Sequence, residues 1–134
     1  MLARTLAGAL GFGLTVNALI MFVDPTLWYH HLPGVSASGP LNLHFVRDIG
    51  CADLVAGGVF LARAFSPSLA RSGLMTAAGF LCLHAGVHVW ELVGARHDVG
   101  HHLARDLVPV YLPAALAAWL AAAAVRTTRT STRV

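Results

Sequence analysis

Four apolar runs, each about as long as a bilayer is thick, constrain this chain more than any other feature. They extend from about Leu6 to Val23, Leu43 to Phe65, Ser72 to Val93 and Leu103 to Val125. At about 1.5 Å per residue, some twenty helical residues cross about 30 Å of hydrocarbon. Backbone groups in lipid must find their partners within the span, which favours helices. The expected fold is therefore all-α, a four-transmembrane-helix bundle in one domain covering residues 1–134. Only 11% of the residues are charged and 57% are hydrophobic, with a mean hydropathy of +0.69. A soluble domain carries about twice that charge. Breakers close the runs at Asp24-Pro25, Ser66-Pro67 and Gly94, and residues 24–42 form an outer loop. Pro109 and Pro113 predict a kink early in the fourth run. The first run has too long a flank before any small-residue cleavage site, so it reads as a retained helix and not a signal peptide.

All nine cations are arginine. If the termini share one side, that side holds Arg4, Arg63, Arg71, Arg126, Arg129 and Arg133, against Arg47, Arg96 and Arg105 on the other. This bias predicts a multi-pass protein of the cell inner membrane with both termini cytoplasmic. Arginines scattered over segment ends exclude a nucleic-acid face. All eight histidines and all six acids fall in the opposite, non-cytoplasmic half, so the polar chemistry belongs there. Cys51 and Cys82 lie inside apolar runs and form no C-x-x-C; they read as small buried hydrophobes. No G-x-S-x-G, P-loop or dinucleotide glycine motif is present.

Within that half, His84, His88 and Glu91 occupy positions i, i+4 and i+7 and share a helix face. Asn42 is a suitable N-cap for the second run. That run opens with His44-Phe45-Val46-Arg47-Asp48, and Asp53 lies deeper on the stripe of Gly50 and Gly57. Asn17 and Asp53 each read as a maker of interhelical hydrogen bonds, with a proton-relay or ligand role as the alternative for Asp53. The adjacent His30 and His31 point in different directions and make a poor metal grip. The fourth run opens with His102-Leu103-Ala104-Arg105-Asp106, repeating the H-x-x-R-D order. Upstream, Asn17, Met21 and Asp24 match His84, His88 and Glu91 in spacing. Together these predict two pseudo-repeated helical hairpins inserted the same way round, the first with an outer loop nine residues longer.

The stretch Trp28-Tyr29, Leu32-Pro33-Gly34-Val35, Gly39-Pro40, Asn42 and His44 to Gly50 resembles a family of uncharacterised small bacterial four-helix integral membrane proteins. That family is broadly DoxX-like in size and layout. The resemblance implies the four-helix layout and assigns no catalytic residue. DoxX-like proteins are linked to quinone and sulfur redox chemistry, and no motif for either occurs here.

Three functional readings follow. In the first, Arg47, Asp48, Arg105, Asp106 and Asp53 join the histidines in a structural polar network of an accessory membrane subunit. In the second, a transition metal is held by His84, His88 and Glu91 with His44 or His102, or haem b is held by His44 and His88. In the third, a quinone or lipid head group occupies a polar mouth, with His/Glu acid-base chemistry. The bilayer is the expected partner. Gly- and Ala-rich faces on the first and fourth runs admit a homo-oligomer or a larger membrane complex.

Overall fold

The computed structural model describes residues 1–66, 71–94 and 99–131. Helix α1 (Leu2–Val23) stops at Asp24, whose carboxylate accepts a hydrogen bond from the Leu27 amide and so caps α2 (Pro25–His31). Proline at the first position of α2 is preorganised for a helix start. A 3₁₀ turn (Val35–Ala37) follows, and then α3 (Leu43–Phe65), capped by Asn42 Oδ1 accepting from the Phe45 amide at 3.1 Å. The outer loop thus contains a short helix, which the many Gly and Pro residues around it conceal in the sequence. Helix α4 spans Arg71–Gly94 and α5 spans Val99–Asp106.

Helix α5 runs through a π turn (Leu107–Tyr111) into α6 (Leu112–Ser131). Pro109 has no N–H, and its ring crowds the carbonyl one turn back. The ladder widens there, and the Leu112 amide reaches back five residues to the Leu107 carbonyl. The expected proline kink is realised as this bulge. No strand occurs among the described residues.

Three helical stretches are long and apolar enough to cross a membrane: Leu2–Val23, Ser72–Gly94 and Val99–Arg126. Helix α3 has the length, at 23 residues, but carries Arg47, Asp48, Asp53 and Arg63. Length and composition therefore support three spans, one fewer than the sequence reading expected.

Helices α1 and α3 form the most extensive antiparallel pair, and α4 pairs with α6; α3 against α4 and α1 against α6 join the two hairpins. The α1/α3 crossing is nearly backbone on backbone. A Cβ on Gly11 would lie 2.6 Å from the Leu61 nitrogen and 2.8 Å from the Gly57 oxygen, and one on Gly57 would lie 2.6 Å from Thr15 Oγ1. Small residues permit such an approach where no water drives helices together.

The ends of this pair are tied reciprocally. Arg4 Nε, at the start of α1, donates to the Ala64 carbonyl in the last turn of α3 at 2.8 Å, and Arg47 Nε, at the start of α3, donates to the Phe22 carbonyl of α1 at 3.2 Å. Each guanidinium meets carbonyls that the partner helix cannot satisfy itself, at the negative end of its dipole. The interior core gathers around Phe60, Leu74 and Leu120, while Met21 is buried outside that cluster. The outside is also apolar: Phe12, Val55, Leu83, Trp90 and Val93 are all more than half exposed. An apolar exterior this extensive matches lipid as the surrounding solvent.

Candidate polar site at the loop end

Asp106 is the one charged side chain buried among the described residues, at 5% exposed. It ends α5, where the chain enters the π turn. Arg105 Nε donates to its Oδ1 at 2.6 Å and Arg105 Nη2 to its Oδ2 at 2.8 Å. His88 Nδ1, on α4, lies 2.9 Å from the same Oδ2. Because the carboxylate already accepts from a guanidinium fork, His88 is the donor, and its proton sits on Nδ1. His88 Nε2 is left outside the network.

The outer loop closes over this group. Gly34 adopts φ +83 and lies against the Arg105 side chain, so that a Cβ there would overlap Arg105 Cδ and come within 2.9 Å of Nη1. Only glycine meets both demands, a left-handed backbone and no side chain. The contact holds the loop of the first hairpin on the second. On α4, the His84 and His88 rings are 4.9 Å apart between centroids at 68°, and Phe80 stacks on His84 at 6.3 Å and 24°. The Tyr111 hydroxyl, one π turn beyond Asp106, is buried without a hydrogen-bond partner.

A second polar cluster sits in the first hairpin. Asn17 Nδ2 donates to Asp53 Oδ2 at 2.9 Å and contacts Met21 Sδ at 3.3 Å, while Asn17 Oδ1 accepts from Trp28 Nε1 at 2.9 Å. The amide's orientation is thereby fixed, and α2 is pinned to the α1/α3 pair by its indole. The interhelical hydrogen bond expected of both Asn17 and Asp53 is this one. An open groove of about 310 Å³ lies beneath α2, lined by Asn17, Ile20, Leu27, Trp28, His31 and Leu32.

The remaining residues singled out in the sequence fall as follows. His44 Nε2 lies 3.3 Å from Asp48 on an exposed face, with 89% of the histidine side chain accessible. Arg47 turns to the Phe22 carbonyl and does not close a corner with Asp48. The two H-x-x-R-D stretches are therefore used differently: one borders an exposed helix start, and the other supplies a buried ion pair. His102 is half-buried beside the His101 ring, and Glu91 is exposed. Cys51 and Cys82 are free thiols at exposed positions, contrary to their expected burial. Exposure on a helix flank is compatible with a small hydrophobe only where the flank faces lipid.

Among the described residues no three His, Cys, Asp or Glu side chains converge as a group able to hold a metal ion. His84 and His88 do meet, whereas His44 is engaged by its own aspartate on the other hairpin. The pairing of His88 with Asp106, the Gly34 contact and the Trp28 bond to Asn17 were not anticipated. Each joins positions at least eleven residues apart, for which the sequence offers residue types but no pairing rule. No family model, curated protein or solved structure matches the chain.

Proposed function

We propose that the chain is a four-pass integral membrane protein of the cell inner membrane, with both termini in the cytoplasm, serving as a structural or accessory subunit. Its non-cytoplasmic end is fastened by the Asp106 network. Support for α3 as the fourth span comes from where its polar groups go. Asp53 turns to Asn17, Arg47 to the end of α1, and Leu54, Val55 and Phe65 take the outward positions. Charges satisfied in this way leave an apolar flank for lipid. Its partner α1 is itself apolar enough to span, and an antiparallel neighbour of the same length crosses the same slab.

The observation that carries the structural reading is the occupancy of Asp106. Both oxygens are engaged by Arg105 and His88, the carboxylate is buried, and Gly34 lies against the Arg105 side chain that holds it. A general base needs a free oxygen within reach of a substrate proton, and this one has been spent on joining α4, α5 and the outer loop.

Cysteine labelling tests the topology. In a background with Cys51→Ala and Cys82→Ala, Ser36→Cys is expected to react with a membrane-impermeant maleimide added to intact spheroplasts. Ser68→Cys and Thr130→Cys are expected to react only after permeabilisation. Labelling of Thr130→Cys together with Ser36→Cys from outside would mean an odd number of spans and would end the proposal.

A further inference from the structure

Going beyond the structural role, we propose that His84 and His88 form a two-histidine site for a divalent first-row transition metal ion. Two histidines at i and i+4 on one helix face can grip one ion, a spacing that recurs in helical zinc sites. The distances here fit that chemistry. A metal about 2.05 Å from an imidazole nitrogen lies about 3.2 Å from the ring centre. Two such rings, at ligand angles of about 90° to 109°, have centres about 4.5 to 5.2 Å apart. The observed separation is 4.9 Å. With His88 held by Asp106, rotation of His84 about χ2, which is broad for histidine, turns one of its nitrogens toward the shared point without moving the helix.

The surroundings supply what such a site requires. A metal-bound histidine commonly donates its other ring N–H to a carboxylate, which fixes tautomer and orientation. His88 does this through Nδ1 to Asp106 at 2.9 Å, with Asp106 in turn held by Arg105, so Nε2 is the free donor atom. Phe80 stacks on His84 and holds its ring beside that of His88. Two imidazoles leave further coordination positions for water or an exogenous ligand. Imidazole donors suit Cu²⁺ and Zn²⁺ over Mg²⁺ and Ca²⁺, and Cu²⁺ over Zn²⁺ by the usual affinity order.

The test uses the full chain purified in detergent without a histidine tag, stripped with a chelator, and titrated with Cu²⁺ alone or Zn²⁺ alone. Equilibrium dialysis gives the stoichiometry, and electron paramagnetic resonance of the Cu²⁺ sample counts coordinated nitrogens. One ion per chain with two imidazole nitrogens is expected. His84→Ala and His88→Ala should each weaken binding at least about tenfold, and Asp106→Asn by about 10- to 100-fold. His44→Ala and His102→Ala should leave it unchanged. His84→Ala is decisive because His84 makes no bond to the Asp106 network, so the variant is expected to melt like the apo wild type while losing the metal. Undiminished binding in His84→Ala, loss of binding in His102→Ala or His44→Ala instead, or no stoichiometric binding by the wild type would each overturn the site. None of these outcomes bears on the four-pass structural role, which fails or stands on the labelling pattern.

Discussion

Replacing Gly57 by alanine probes the close α1/α3 crossing, and its neighbour Gly58 provides the control. A methyl group on Gly57 would lie 2.6 Å from Thr15 Oγ1 and 3.0 Å from both the Gly11 oxygen and the Thr15 nitrogen, whereas one on Gly58 would meet nothing within 4 Å. Two of the three obstacles on Gly57 are backbone atoms that no rotamer change removes. Restoring ordinary contact requires the helices to part locally by several tenths of an ångström. Overpacking of this kind costs about 1–3 kcal/mol, partly offset by the better helix propensity of alanine, worth up to about 1 kcal/mol. The net expectation is a loss of about 1–2 kcal/mol for Gly57→Ala and a gain of up to about 1 kcal/mol for Gly58→Ala. Gly11→Ala and Gly13→Ala should repeat the contrast on α1, since Gly11 abuts the Leu61 nitrogen and Gly13 faces open space. The double variant Gly11→Ala/Gly57→Ala should cost less than the two losses added, because one separation relieves both clashes. Reversible unfolding in mixed micelles, followed by circular dichroism, reads all five variants. Equal effects at Gly57 and Gly58, or strict additivity of Gly11 and Gly57, would refute a backbone crossing at this point.

Three further outcomes follow from the polar contacts. Asp106→Ala strands the Arg105 guanidinium, only 15% exposed, and should cost about 3–5 kcal/mol, whereas Arg105→Ala/Asp106→Ala should cost less than Asp106→Ala alone; unfolding in detergent compares them. Gly34→Ala forces a residue with a Cβ into a left-handed backbone at about 1–2 kcal/mol and pushes against Arg105. It should therefore raise proteolysis of the 24–42 loop, as should Gly39→Ala at φ +149, but only Gly34→Ala should also lower the melting temperature through Arg105, because nothing lies within 4 Å of an atom added at Gly39. Trp28→Phe removes the bond to Asn17 Oδ1 and should cost about 0.6–1.7 kcal/mol; an indole whose fluorescence maximum is unchanged on Asn17→Ala would contradict that bond.

How much of this was legible in the sequence depends on the range of the interaction. Helix ends governed by neighbours were readable: Asp24-Pro25 ends α1, Asn42 caps α3, and the prolines of the fourth run distort it. Asp53 on the Gly50/Gly57 stripe pointed to a hydrogen bond across a close helix contact, and Asn17 supplies it. The destination of each arginine was not readable. Arg47 and Arg105 occupy the same place in the same motif, yet Arg47 reaches a carbonyl on α1 and Arg105 folds back on its own neighbour. A long side chain chooses among acceptors by tertiary distance, which spacing along one helix does not encode. The length of α3 was readable and suggested a fourth span, but Arg47, Asp48, Asp53 and Arg63 keep it out of the three helices long and apolar enough to cross a membrane.

The two hairpins carry different polar work. His44 to Asp48 maps onto His102 to Asp106 with a shift of 58 positions, and the same shift carries Asp53 onto Tyr111. Asp53 finds Asn17, while the buried Tyr111 hydroxyl finds no partner. Asn17 corresponds in spacing to His84 and Met21 to His88, so the hydrogen bond across the first hairpin is made one turn deeper than the His88–Asp106 contact in the second. The longer loop accounts for this difference. It packs Trp28 onto the first hairpin and lays Gly34 over Arg105 on the second. One hairpin thus donates the cap and the other receives it. A carboxylate at the receiving end is shielded from solvent and must be neutralised locally, as Asp106 is by Arg105 and His88. Its counterpart Asp48, with 60% of its side chain accessible, is outside that cover and needs no buried partner.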